Sequence, residues 1–90
     1  MDNPESRLAY LDSKAWGLFR MGRFQEAYDT MKLIDEKKME DDAVFWEHMA
    51  SIQAALGLKA EATKSYKALL KLNPKHAGAK AFLSGQKHRP

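Results

Sequence analysis

The chain has no cysteine. That removes disulfides, thiolate nucleophiles and sulfur-rich zinc sites together, and leaves the redox compartment undetermined. Long hydrophobic runs are missing too: charged residues break every apolar stretch well before the ~20 residues a membrane-spanning helix needs. The opening MDNPESR has neither a basic head nor an apolar core, so a secretory signal is not expected there and a cytoplasmic setting is. No glycine-rich loop suited to phosphates occurs, and Ser13 has no nucleophile elbow around it. The three histidines, His48, His76 and His88, are scattered, none with a ligand partner at i+4, and Glu47 and His48 are adjacent and so point in different directions. No catalytic residue, metal site or cofactor is therefore expected.

Acid is scarce in the second half. Residues 57–90 hold 8 Lys+Arg against one acid, Glu61, a balance of +7, whereas residues 1–56 hold 7 against 11, a balance of −4. Lys59, Lys64, Lys67, Lys71, Lys75 and Lys80 read first as a solvated helix face. The asymmetry also suggests an acidic partner or head-to-tail stacking of copies. Nucleic-acid binding through this basic half is disfavoured, because Phe82 is the only aromatic after Tyr66 and stacking platforms are missing.

What the chain does contain is a repeat. A shift of 35 residues carries Met21–Ile34 onto Leu56–Leu69, placing Gly22 on Gly57, Glu26 on Glu61, Ala27 on Ala62 and Met31 on Tyr66. The same shift carries Tyr10 onto Phe45, Leu11 onto Trp46, Asp12 onto Glu47 and Ala15 onto Ala50. Self-similarity at this period marks a stack of units, each burying its apolar face on the next. Ninety residues suffice for one small domain near the lower limit of stability.

The pattern predicts an all-α chain. Asn3 caps a first helix with Pro4 in its first turn, and Leu8, Leu11, Ala15 and Leu18 form its buried stripe as far as about Met21. Gly22 ends it. A second helix runs from about Arg23 to Lys37 with Phe24, Ala27, Tyr28, Met31 and Ile34 inward, so the short connection makes an antiparallel hairpin. Residues 35–42 are a fraying end and a turn. The third helix spans about Asp42–Leu56, started by Asp41 and Asp42, and the fourth about Lys59–Leu72, stopped by Asn73-Pro74. A short fifth helix, about His76–Ser84, caps the open end of the stack, and residues 86–90 fray. Gly22 and Gly57 allow tight turns, Ala15 with Ala27 and Ala50 with Ala62 let paired helices approach closely, and Leu11, Trp46, Met31 and Tyr66 fill the space between hairpins.

Trp46-x-x-Met49-Ala50, Gly57, Ala62, Tyr66, Ala68-Leu69 and Asn73-Pro74 resemble a tetratricopeptide repeat. The first repeat is similar, with Leu11 in the tryptophan slot, Ala15 in the small slot, Leu18 in the tyrosine slot, Gly22, Phe24 and Ala27; it departs at Lys14, where leucine is usual, and at Met39, where proline is. Tyr10–Met21 also looks like the final repeats of bacterial tetratricopeptide proteins. The resemblance covers residues 8–85 and implies one domain: repeat one at about 8–41, repeat two at about 42–75, a capping helix at about 76–85.

It further implies a scaffold for protein–protein contact, with the first helix of each hairpin lining a concave face. That face would comprise Ala9, Asp12, Ser13, Trp16, Phe19 and Arg20, then Val44, Glu47, His48 and Ser51. Trp16 and Phe19 fall beside the buried stripe, and either anchor a partner peptide or pack on the neighbouring helix. Asp12 and Glu47 would make the groove acidic, so its ligand would carry Lys or Arg. Some family members clamp the C-terminal carboxylate of heat-shock chaperones with lysines, asparagines and arginine. The matching places here carry Asp12, Trp16, Glu47 and Ser51, so that activity is not implied. The alternative is homo-oligomerisation through Tyr10, Trp16 and Phe19.

Overall fold

A computed structural model describes residues 4–87, with side-chain surroundings for 6–85. The expected cap at Asn3 and residues 88–90 lie outside the described residues. The chain is all-helical: α1 (Pro4–Arg20), α2 (Phe24–Met31), a 3₁₀ turn (Glu36–Met39), α3 (Ala43–Ala55), α4 (Lys59–Leu72) and α5 (Ala77–Lys87). α1 packs on α2 and α3 on α4 as two hairpins, α3 joins the hairpins by packing on α2 and α1, and α5 closes against α4. The whole measures 53 × 26 × 17 Å.

The two hairpin turns are built identically. Gly22 has φ +81° and Gly57 φ +78°, the left-handed conformation that glycine adopts without a Cβ penalty. In each, the amide after the glycine donates five residues back, Arg23 to the Leu18 carbonyl and Leu58 to the Gln53 carbonyl, both at 2.9 Å. The glycine amides donate to Phe19 (2.9 Å) and Ala54 (3.0 Å). This pair of bonds satisfies carbonyls that a helix end leaves open. Ala15, Ala27, Ala50 and Ala62 are all fully buried, as close approach of the paired helices demands.

The 35-residue shift fails at the end of α2. That helix was expected to reach Lys37 but stops at Met31, and the stretch read as a fraying end holds an ordered 3₁₀ turn. Ile34 and Met39 are both buried. Five residues apart on a continuous helix they would point about 140° apart, so one helix could not bury both. The chain instead tightens through Leu33 N–H to Thr30 and Ile34 N–H to Met31, and the Asp35 side chain accepts from the Lys37 amide to start the 3₁₀ turn. Asp42 then caps α3, its carboxylate accepting from the Phe45 amide at 3.1 Å. α5 also runs past its expected end at Ser84 to Lys87, so residues 86 and 87 are helical rather than frayed.

Along α3 the stripe Phe45, Met49, Ile52 is buried in a core shared with Met31, Ile34 and Leu69. Gln53 is buried but accepts from the Ser65 hydroxyl at 2.6 Å, so α3 and α4 share a satisfied polar contact. Tyr66 and Phe82, with ring centroids 4.6 Å apart, and buried Ala79 hold α5 in place.

The positions on α1 equivalent to Phe45, Met49 and Ile52 are Tyr10, Lys14 and Gly17, and all three are exposed. The outer face of α1 thus carries a charge at Lys14 and no side chain at Gly17 where α3 is apolar, and Tyr10 is left as an exposed aromatic. Replacing Lys14→Met together with Gly17→Ile restores the α3 pattern there. The doubly substituted chain is expected to self-associate in light scattering at concentrations where the parent does not; an unchanged mass would show that this stripe does not decide hairpin stacking.

Candidate functional site

α1 and α3 lie side by side, and the residues expected on the concave face meet there. Asp12 Oδ1 and His48 Nδ1 are 2.7 Å apart, with both side chains largely buried. An ionised carboxylate only accepts, so Nδ1 of His48 carries the proton and donates. The His48 ring stacks on Trp16 at 4.0 Å between centroids, Trp16 on Phe19 at 4.6 Å, and Phe19 meets Phe24 at 5.4 Å in a tilted contact. Four rings from α3, α1 and the start of α2 form one column, with His48 largely and the others partly buried. Trp16 and Phe19 therefore pack within the fold, and much of their aromatic surface is turned to neighbouring rings.

Glu47, the repeat counterpart of Asp12, is held in turn by a histidine. Its Oε2 lies 2.6 Å from Nε2 of His76, in the segment between α4 and α5. The other ring nitrogen, Nδ1 of His76, accepts from the Ala79 amide at 3.1 Å and caps α5. An acceptor at Nδ1 and a carboxylate at Nε2 assign one tautomer: neutral, with the proton on Nε2. His48 and Glu47, adjacent in sequence, thus reach in different directions, one back to α1 and one forward to α5.

The remaining expected groove residues are more open. Ser13 and Arg20 are exposed and Ser51 is half-buried. Ala9 is exposed, and Val44 is 54% exposed. A cleft of about 330 Å³ lies at one end of this face, lined by Leu8, Ala9, Asp12, Ser13, Lys38, Met39 and Asp42. Buried Met39 forms part of its wall. Asp12 and Glu47, the two carboxylates expected to make the groove acidic, each hold an imidazole across a tertiary contact. The two histidine partners were not paired from sequence because 36 and 29 residues separate them from their carboxylates. The alignment of Asp12 with Glu47 was the one signal that both belong to a single surface.

Among the described residues, no three His, Asp or Glu side chains converge as a metal-holding group. No described helix is long and apolar enough to cross a membrane. Lys59, Lys64, Lys67, Lys71, Lys75 and Lys80 are exposed. By contrast Arg23 and Lys32 of the first hairpin pair with Glu26 and Asp29, exposed contacts worth little to stability. Comparison of the chain with protein-family models, curated proteins and solved structures finds no match.

Proposed function

We propose that this chain is a tetratricopeptide-type interaction module that performs no chemistry and binds a basic partner segment along the face formed by α1 and α3. The supporting observation is the repeat itself: two hairpins with the same glycine turn and the same buried alanine pairs set two equivalent helices side by side. That leaves Ala9, Ser13, Arg20 and Val44 open around Asp12 and Glu47. Asp12 and Glu47 supply the negative charge, Glu47 being the more exposed, and Val44 with the Met39 cleft supplies apolar contact. Side chains of Lys or Arg, with apolar stems and cationic heads, suit both. Exposed Lys14, four residues from Tyr10 on the same helix face, weighs against self-association through Tyr10.

A labelled peptide of alternating arginine and alanine, followed by fluorescence anisotropy, tests the reading. Glu47→Lys is expected to weaken binding about tenfold or more, as loss of a charged hydrogen bond and its replacement by repulsion requires. Equal affinity of Glu47→Lys and the parent would remove the concave face as the site. The exposed lysines favour a second reading, contact of α4 with a polyanion: binding of a DNA duplex that falls steeply with salt and is lost on Lys64→Glu with Lys71→Glu would support it.

A further inference from the structure

The carboxylate with most solvent exposure on the proposed groove is already occupied from within. Glu47 is 43% exposed at its side chain, yet His76 sits 2.6 Å from it and at the same time caps α5 through Nδ1. An imidazole Nε2–H on a carboxylate is what a guanidinium or ammonium group of a ligand would replace. We propose that His76 is an internal competitor for Glu47, so that a basic partner segment and the docked start of α5 exclude one another at that carboxylate. The proposal rests on the basic-segment reading above and adds to it a coupling between groove occupancy and the capping helix.

The geometry gives this coupling its direction. Only an unprotonated Nδ1 can accept from Ala79, so His76 is held in one tautomer by two contacts that support each other. When a cation takes Glu47, Nε2–H loses its acceptor and His76 keeps only the cap. α5 is otherwise held by Ala79 and by the Tyr66–Phe82 ring contact, so it loosens at its first turn rather than leaving the stack. The second groove carboxylate, Asp12, does not share this link, because its imidazole comes from α3 and stacks on Trp16.

His76→Asn separates the two contacts. Asparagine is among the preferred N-cap residues, so it retains an acceptor for the Ala79 amide while being too short to keep the imidazole's hold on Glu47. With the arginine–alanine peptide as probe and the full chain as host, His76→Asn is expected to bind about fivefold more tightly than the parent, the worth of one net hydrogen bond removed from the competition. In the parent, the probe is expected to shift the His76 side-chain nitrogen resonance together with the Ala79 amide. Equal affinities, or a His76 signal that does not move while the peptide binds, overturn the competition and leave the interaction module standing. Failure of both proteins to bind the peptide overturns the basic-segment reading and the competition with it.

Discussion

Phe45→Ala is expected to destabilise the chain by about 3–5 kcal/mol, while the repeat-equivalent change Tyr10→Ala is expected to stay within about 0.5 kcal/mol. Phe45 is fully buried in the core that α3 shares with hairpin one, and truncating it removes the ring's contacts and leaves a cavity. Tyr10 occupies the same position in repeat one but is 63% exposed, with no hairpin packed on it. Ninety residues imply a total stability of about 5–13 kcal/mol, so the first change brings the fold close to its limit. Urea unfolding followed by circular dichroism measures both. Comparable losses at the two positions would contradict the assignment of one face to the core and the other to solvent.

Overpacking the alanine seam has the next largest effect. Ala62→Leu places a branched side chain where α3 and α4 approach closely around fully buried Ala50 and Ala62, and is expected to cost about 1–3 kcal/mol. Ala27→Leu should do the same in hairpin one, beside Ala15. Each kcal/mol corresponds to roughly 4–8 °C in melting temperature for a domain of this size. Helix propensity predicts only a small loss for leucine in place of alanine, so a drop beyond ~1 °C comes from the seam. A melting temperature unchanged by both substitutions would mean that the small residues are not required for helix approach.

Much of this architecture was legible from residue types alone, because glycine, alanine, aspartate and proline act locally. Gly22 and Gly57 take the left-handed turn that a helix end needs, Asp42 caps the helix it precedes, and Asn73-Pro74 ends α4 where expected. Where two distant demands compete, local reading fails. Ile34 and Met39 both seek the core, and burying both ends α2 early and winds a 3₁₀ turn out of a stretch that looked merely charged. The groove shows the same division. Asp12, Trp16, Glu47 and His48 were expected on one face only through the resemblance to a tetratricopeptide repeat, and their contacts are tertiary. The ring of His48 inserts beside Trp16, and His76 arrives from beyond α4, partnerships that no spacing in the chain announces.

The basic-segment reading is tested most directly by nitrogen–proton NMR of the whole chain during titration with the arginine–alanine peptide, with a glutamate–alanine peptide as control. The expected result is a set of shifts confined to α1 and α3 around Asp12, Ser13, Val44, Glu47 and Ser51, joined by Ala79 as His76 yields Glu47, with no such set from the control. Shifts absent from that face, or a response to the glutamate peptide alone along Lys64, Lys67 and Lys71, would contradict it and place recognition on the basic surface of α4.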